Sequence, residues 1–294
     1  MAVIGLGRMG GPIARRLAQR HAVTGWDLDP EAASSIEGVR AASSASDALS
    51  DAGALVTVLP GPSELRQALD EAWSQMPAGS LWVDLTSCDP TTGAELHDRA
   101  AGLGIVSVAA PMLGGPDDAR RGDLGFVVGG TDAARTAAEP VLSALGHGEL
   151  RIAGDEPRHA YLVKLLGNLL WFGQVVAVTE ALLLAQRGGL DPSRAADVLA
   201  AGPGASAFLT DHRAALLSGD LMESFGLDRV VEELDHLQRL ADEAGTPFAL
   251  SRVVTSLHRD ALSEYGPRPG ELLASALLQE RAGTTLSAPR RDPA

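Results

Sequence analysis

The sequence predicts an α/β protein with a doubly wound parallel sheet in its N-terminal half and helices alone in its C-terminal half. Three observations predict this class. A glycine-rich turn joins the first short apolar segment to an amphipathic helix. Strand and helix patterns then alternate to about residue 155, as parallel strands with crossover helices require. From residue 156 onward the apolar spacing is helical, and no strand pattern recurs.

The first predicted strand, residues 2–4, leads directly into a G-x-G-x-x-G turn and a helix at about residues 9–19. Glycine suits the tight turn, the close approach of backbone to a pyrophosphate, and the packing of helix on strand. The helix N-terminus offers N–H groups to the phosphates. This context predicts a Rossmann domain that binds a dinucleotide. The turn residues expected to contact the dinucleotide are Gly5, Leu6, Gly7, Arg8, Met9 and Gly10.

The second predicted strand, residues 22–26, ends in Asp27. An acidic side chain at this position is placed to hydrogen-bond the adenosine ribose hydroxyls, and it would repel the 2'-phosphate of NADP. The residues that follow, Leu28, Asp29 and Pro30, include no arginine or lysine for that phosphate. NAD is therefore the expected cofactor, and NADP is the less favoured alternative.

Further strands are predicted at residues 53–59, 80–85, 105–109, 125–128 and 149–152. In such sheets, ligands bind beyond the carboxyl ends of the strands. The loops that leave these ends are therefore the expected walls of the nicotinamide pocket. Leu59, Pro60 and Ser87 are the loop residues that we expect to contact the cofactor.

An almost wholly apolar run, residues 161–186, contains Lys164 and Asn168. The two residues are four apart, so on a helix they share one face. The run is long enough to cross a bilayer, but a buried ammonium is unfavourable unless it has a function. We interpret the run as a long buried helix that joins two domains of a soluble enzyme. A lysine that reaches water from a helix end is the alternative.

The chain accordingly divides into three parts. Residues 1–155 form the cofactor domain, residues 156–283 form an all-helical domain that begins with the long helix, and residues 284–294 form a disordered tail. Helices are predicted in the second part near residues 192–200, 208–217, 227–244, 249–263 and 270–280.

The composition limits the partners. The 294 residues carry a net charge of -14, which opposes binding to nucleic acid and to anionic membranes. Cys88 is the single cysteine, which excludes an internal disulfide and fits a reducing cytosol. The N-terminus has no signal-peptide pattern, so a cytoplasmic protein is expected. The seven histidines lack metal-ligand spacing, and no metal site is predicted.

Four motifs resemble those of the β-hydroxyacid dehydrogenase family, over about residues 1–280. This family includes 3-hydroxyisobutyrate dehydrogenase and glyoxylate/succinic semialdehyde reductases, and its NAD-binding half is like that of 6-phosphogluconate dehydrogenase. GLGRMGGPIARRL resembles the family's opening G-L-G-x-M-G-x-P-x-A-x-x-L, and DLTSCDP resembles its D-x-S-T-x-x-P substrate loop. APMLGGPDDARRGDLGFVVGG resembles the segment with S-G-G and a later V-G-G, and KLLGN resembles the catalytic K-x-x-x-N helix.

The resemblance implies a role for each motif. Lys164 would take the substrate's hydroxyl proton in oxidation, or donate a proton in carbonyl reduction, while Asn168 holds the substrate oxygen or the lysine in register. Ser87 and the N–H groups of Gly114 and Gly115 would orient the substrate and the nicotinamide ribose. The helical domain would complete the pocket and form a homodimer or homotetramer. Trp171, one turn after Asn168, is expected in the core, with the substrate pocket as the alternative.

Three departures from the family pattern bear on the substrate. Leu113 stands where the family has a serine that helps to bind the substrate carboxylate, and leucine cannot hydrogen-bond. Glu232-Glu233 replaces the family's Lys-Asp, which reverses the charge at the first position. Residues 156–160 replace a glycine-rich segment before the catalytic helix. A short 3-hydroxy acid therefore fits poorly, and a bulkier, less anionic or amine-bearing substrate fits better.

Three interpretations follow. The first is an NAD-dependent alcohol dehydrogenase or carbonyl reductase with an atypical substrate. The second is an imine reductase, a related group that commonly has Asp or Tyr at the lysine position; Lys164 speaks against it, while Leu113 and Glu232 leave it open. The third is a non-catalytic scaffold that binds NAD, which retention of both Lys164 and Asn168 disfavours.

Overall fold

The structure is a computed structural model that describes residues 1–147 and 150–286. Within these ranges, nine strands form a single sheet. They are β1 (Ala2–Ile4), β2 (Val23–Trp26), β3 (Val39–Ala41), β4 (Ala54–Thr57), β5 (Leu81–Asp84), β6 (Val106–Ala109), β7 (Met112–Leu113), β8 (Gly125–Gly129) and β9 (Leu150–Gly154).

The strand order is β3-β2-β1-β4-β5-β6-β8-β7, and β9 pairs with β8. The strands from β3 to β6 are parallel to their neighbours, as predicted, whereas β8 runs antiparallel to β6 and β7. The sheet is therefore mostly parallel. The short strands β3 and β7 were not predicted, because two or three residues carry no readable alternation. The ninth strand was predicted from residue 149, which lies outside the described residues.

The helices are α1 (Gly10–Ala18), α2 (Ala45–Leu49), α3 (Pro62–Ala72), α4 (Pro90–Gly102), α5 (Pro116–Arg121), α6 (Asp132–Leu145), α7 (Pro157–Arg187), α8 (Pro192–Ala200), α9 (Arg213–Ser218), α10 (Leu227–Glu243), α11 (Ala249–Tyr265) and α12 (Leu273–Arg281). A π-helical turn, Phe208–His212, precedes α9. The short helices α2 and α5 were not predicted. Arg120 and Arg121 lie in the last turn of α5 and form ion pairs with Asp117 and Asp118.

The chain divides into two compact units, Met1–Leu165 and Leu166–Ala294. The first, here called the sheet unit, contains the whole sheet, and the second, the helical unit, contains helices only among its described residues. The boundary lies ten residues later than the predicted one at 155. The physical reason is that Ala160 and Tyr161, in the first turns of α7, belong to the core of the sheet unit.

Helix α7 is long and apolar enough to span a membrane by length and composition. It nevertheless contributes to protein cores: Tyr161 is buried in the sheet unit, and Phe172 and Leu182 are buried in the helical unit. The sequence predicted a long buried helix, but parts of the surface of α7 are exposed. Only 33% of the helix's most apolar window is buried, and Leu170 and Leu184 are 66% and 75% exposed.

The chain after α12 was predicted to be disordered from residue 284. Residues 284–286 instead pack in the helical unit: Leu286 is buried, its N–H donates to Gln279 Oε1 over 2.7 Å, and Gln186 Nε2 donates to the Thr285 carbonyl over 2.9 Å. The rest of the predicted tail, residues 287–294, lies outside the described residues.

Candidate active site

The glycine turn has the geometry that a dinucleotide phosphate requires. Gly5 has a φ of +90°, and a Cβ there would lie 2.2 Å from the Val58 carbonyl oxygen. A Cβ on Gly10 would lie 1.9 Å from the Gly5 carbonyl oxygen. Gly7, by contrast, is exposed, and a Cβ there would meet no described atom within 4 Å. The turn is thus closed toward the sheet and open on the side where phosphates would bind.

The carboxylate of Asp27 lies beside this turn. Its Oδ2 accepts from the Leu6 N–H over 2.6 Å, and its Oδ1 accepts from the Asp29 N–H over 2.9 Å. Each carboxylate oxygen can accept more than one hydrogen bond. Asp27 therefore holds the glycine turn to the end of β2 and retains capacity for ribose hydroxyls. This arrangement fits the dinucleotide that the sequence predicts.

The loops after β4 and β5 are joined to one another. The N–H of Leu59 donates to Thr86 Oγ1 over 3.2 Å, so the Thr86 hydroxyl, which is buried, holds the two loops together. Ser87 is half-buried beside it, whereas Pro60 is exposed. Burial raises the pKa of the Cys88 thiol well above its ordinary range, so this cysteine is a protonated side chain that fills space in the core.

A fully buried carboxylate, Asp84, lies at the end of β5. Its Oδ1 accepts from Thr57 Oγ1 over 2.6 Å and from the Thr86 N–H over 3.1 Å. Its Oδ2 accepts from the hydroxyl of Tyr161 over 2.5 Å. Burial raises the pKa of Asp84, and these three donors act against that rise.

The hydrogen bonds continue beyond Tyr161. His97 Nε2 lies 2.9 Å from the Tyr161 hydroxyl, and His97 Nδ1 lies 2.8 Å from Ser107 Oγ. The imidazole also stacks on Trp82, whose Nε1 donates to Thr57 Oγ1 over 2.9 Å. No local sequence pattern identifies this cluster, because its members come from five separate elements, β4, β5, β6, α4 and α7.

The segment after β6 contains Leu113, Gly114 and Gly115, three residues predicted to contact the substrate. Leu113 is half-buried at the end of β7 and packs against the apolar core of the sheet unit. Gly114 has a φ of +113°. The N–H of Gly115, predicted to orient the substrate or the nicotinamide ribose, donates to Asp118 Oδ2 over 2.7 Å and caps α5. Gly115 is thus the N-cap of α5, and its contact with a substrate or the nicotinamide ribose stays a prediction.

Helix α7 contains both Lys164 and Asn168, as predicted, and both side chains are half-buried. The amide Nδ2 of Asn168 donates to Glu233 Oε2 over 2.7 Å. The sequence singled out Glu232, but Glu232 is exposed and paired with Arg229 over 2.9 Å. At 100° per residue, Glu232 lies opposite the buried stripe of α10, whereas Glu233 borders that stripe. The helical spacing could therefore have identified Glu233.

Trp171 belongs to the core of the helical unit. Its ring lies edge-on to Phe208 and His212, with centroid separations of 5.2 Å and 4.7 Å. This packing agrees with the expectation that Trp171 lies in the core, and its contact with a substrate stays a prediction. His212 is likewise engaged in this aromatic cluster.

The basic residues of the chain are almost all arginine. Of the 24 basic residues, 23 are arginine, and Lys164 is the single lysine of the chain. An arginine guanidinium stays protonated in proteins, whereas a lysine amine can lose and regain a proton. The chain thus retains an exchangeable side-chain amine at one position, and that position is on α7.

The fold and the relatives of the chain together identify an NAD(P)-dependent oxidoreductase that acts on a hydroxyl or carbonyl group. Residues 1–155 match the family described as NAD binding domain of 6-phosphogluconate dehydrogenase. Residues 159–275 match the family described as NAD-binding of NADP-dependent 3-hydroxyisobutyrate dehydrogenase. The protein belongs to the β-hydroxyacid dehydrogenase family, as the motifs predicted.

Individual relatives agree with this assignment. The chain is 30% identical over 207 residues to a probable 3-hydroxyisobutyrate dehydrogenase of Mycobacterium tuberculosis, covering 69% of this chain and 70% of that protein. It resembles the crystal structure of 3-hydroxyisobutyrate dehydrogenase from Salmonella typhimurium with a TM-score of 0.82 and 25% identity, covering 94% of this chain and 98% of the other. An imine reductase variant from Myxococcus stipitatus shares the fold, with a TM-score of 0.63, 21% identity, and coverages of 94% and 98%.

Proposed function

We propose that the protein interconverts an alcohol and a carbonyl compound with NAD, and that Lys164 is its general acid–base. The single lysine of the chain carries this proposal. Arginine occupies the other 23 basic positions, so positive charge alone does not explain why position 164 is a lysine. Lysine is needed where a proton must move, because arginine cannot release one.

The proposed roles follow from the residues. Gly5, Gly7 and Gly10 would receive the phosphates of the dinucleotide, and Asp27 would receive a ribose hydroxyl, which favours NAD over NADP. When bound, the dinucleotide supplies or accepts the hydride. In oxidation, the neutral amine of Lys164 takes the hydroxyl proton as the C=O bond forms. In reduction, its ammonium returns a proton to the carbonyl oxygen.

The substrate that we propose is less anionic than a 3-hydroxy acid. Leu113 is half-buried and apolar where the family has a carboxylate-binding serine. Asn168 already donates its amide N–H to the Glu233 carboxylate. A substrate carboxylate beside Leu113 would find no hydrogen-bond donor in that side chain, and one beside Glu233 would face a like charge. A neutral or amine-bearing substrate meets neither obstacle.

A matched set of alcohols tests this proposal. The anionic 3-hydroxyisobutyrate, its neutral methyl ester and the cationic 3-amino-2-methylpropan-1-ol share one carbon skeleton and differ in charge. We expect kcat/KM with NAD to be at least about tenfold higher for the ester or the amine than for the acid. Preference for the acid would contradict the substrate proposal and leave the dehydrogenase assignment intact.

Imine reduction is the second candidate. The carboxylate of Glu233 beside Asn168 favours it, since a carboxylate would stabilise a cationic iminium or amine. Adding 2-methyl-1-pyrroline and NADH to the same assay separates the two reactions. Turnover of the cyclic imine without turnover of any alcohol would replace the first proposal with this one.

We also propose that the helical unit forms a homodimer, in the cytoplasm as the acidic, single-cysteine composition suggests. Large apolar side chains are exposed on this unit, which is unfavourable for a monomer in water. They include Leu170, Leu184, Leu190, Val198, Leu250 and Val253. Light scattering should give about twice the chain mass, and Leu170→Glu with Leu184→Glu should reduce it to that of a monomer. A wild-type monomer would contradict the proposal.

A further inference from the structure

The directions of the buried hydrogen bonds in the sheet unit can be assigned. Three donors converge on Asp84, so the hydroxyl of Tyr161 donates to this carboxylate. The Tyr161 oxygen therefore accepts from Nε2–H of His97, and the other ring nitrogen accepts from the Ser107 hydroxyl. Burial keeps His97 neutral by lowering its pKa to about 3, which agrees with this tautomer.

This chain of bonds connects the three segments on which the proposed reaction depends. Asp84 accepts from the N–H of Thr86, and the Thr86 hydroxyl accepts from the N–H of Leu59. One carboxylate thereby holds the loops after β4 and β5. Through Tyr161 it also holds the first turns of α7, and Lys164 follows Tyr161 by three residues, on the same face one turn later.

The ring of Tyr161 packs closely against Gly93 of α4. It is 0% exposed, and a Cβ on Gly93 of α4 would lie 2.3 Å from its Cε2 atom. Phenylalanine would fill the same space, so packing alone does not require the hydroxyl. The hydroxyl of Tyr161 is the link between α7 and Asp84, and its oxygen is the acceptor for His97.

We propose that Tyr161 is a positioning residue of this enzyme: its hydroxyl holds the turn of α7 that carries Lys164 in register with the loops after β4 and β5. The inference rests on the proposed function, since it needs Lys164 to be the proton-transferring group. Loss of the Tyr161 hydroxyl would displace the Lys164 amine slightly relative to the substrate. A displacement of about 1 Å can lower a rate by orders of magnitude.

The first test is kinetic and uses the full chain with methyl 3-hydroxyisobutyrate and NAD. We expect Tyr161→Phe to lower kcat about tenfold and to change KM for NAD less than about twofold. In a Lys164→Ala background the same change should have no further effect, because no amine remains to be positioned. An equal loss in both backgrounds, or no loss with Lys164 present, would overturn the inference.

The second test needs no turnover. Growth with lysine labelled with ¹³C at Cε gives a protein with one labelled side chain, because Lys164 is the single lysine. We expect Tyr161→Phe to shift or split the Lys164 resonance. Ser107→Ala is the matched control, since it removes a hydroxyl from the far end of the same chain of bonds. An unchanged resonance in Tyr161→Phe, with thermal unfolding showing a folded protein, would overturn the inference.

The two proposals fail in different ways. If Lys164→Ala keeps the wild-type kcat, the proposed function fails, and the positioning role fails with it. If Lys164→Ala loses activity but Tyr161→Phe does not, the proposed function stands and the positioning role alone is wrong.

Discussion

Asp84 in the sheet unit and Glu233 in the helical unit show how two site carboxylates acquire different roles. Asp84 is fully buried and accepts from Thr57, Tyr161 and Thr86. Glu233 is half-buried and accepts from Asn168 at the border of a helix stripe. The enclosed carboxylate holds the segments around it together, whereas the half-buried one is partly exposed to solvent. Burial and the number of donors, more than residue type, separate the two roles.

The largest effect that we predict is on Lys164, which belongs to the turn that Asp84 holds through Tyr161. Lys164→Ala should lower kcat by about 10²–10⁴ while NAD affinity stays nearly unchanged. Lys164→Arg is the sharper control: it keeps the positive charge but cannot transfer the proton, so it should be as slow as the alanine variant. Steady-state kinetics and NAD titration measure both, and a fast arginine variant would reduce the role of Lys164 to charge.

The two carboxylates should also differ in their contribution to stability. Asp84→Ala leaves three buried donors without an acceptor, so it should lower the free energy of unfolding by about 3 kcal/mol or more. Glu233→Ala should lower it by about 1 kcal/mol or less, because that side chain is only half-buried. Denaturant titration at neutral pH gives both values. Similar losses of unfolding free energy in the two variants would contradict the different structural roles of Asp84 and Glu233.

Glu233→Ala should instead alter substrate preference. Removal of a negative charge near Asn168 favours an anionic substrate, so turnover of 3-hydroxyisobutyrate relative to 3-amino-2-methylpropan-1-ol should rise about tenfold. An unchanged ratio would show that Glu233 does not face the substrate.

A pH titration compares buried histidines in the two units. Burial lowers the pKa of His97 to about 3 and that of His258 to about 4, from an ordinary value of 6.5. Below pH 6.5 the unfolded chain therefore binds protons that the folded chain does not. The contribution of these two histidines to the free energy of unfolding should be complete above about pH 6.5. It should decrease as the pH falls toward 3. Asp84 has the opposite effect on the free energy of unfolding. Its pKa is raised in the folded protein, so its contribution increases as the pH falls.

Single substitutions test this assignment. His97→Gln should reduce the loss of unfolding free energy between pH 7 and pH 5 in the sheet unit, and His258→Gln should do the same in the helical unit. Denaturant titrations at the two pH values measure the change. A pH slope unaltered in both variants would assign acid destabilisation to other groups.

The smallest effect concerns the cofactor. Asp27 accepts from Leu6 and Asp29 and has capacity for a ribose hydroxyl. Asp27→Ala should narrow the preference for NAD over NADP by about tenfold, because it removes both the ribose acceptor and the charge that repels a 2'-phosphate. The ratio of kcat/KM for the two cofactors measures this, and a wild-type enzyme already faster with NADP would contradict the premise.

Much of the sheet unit was predictable from the sequence. The first strand has the predicted bounds, and the glycine turn has the predicted geometry. These features are local: a turn that needs a positive φ at Gly5 requires glycine, and an apolar period identifies a helix wherever it packs. The exceptions are short elements such as β7, which exists because β8 pairs with it.

The family, the cofactor turn and the helix that carries Lys164 and Asn168 can be predicted without a structure, because each is encoded within a few consecutive residues. Tertiary structure alone decided that Glu233 rather than Glu232 contacts Asn168, that Gly115 caps α5, and that Asp84, Tyr161 and His97 form one buried chain. Those contacts join residues as many as 77 positions apart. Hydrogen bonding depends on distances of a few tenths of an ångström, and only the packed protein sets such distances.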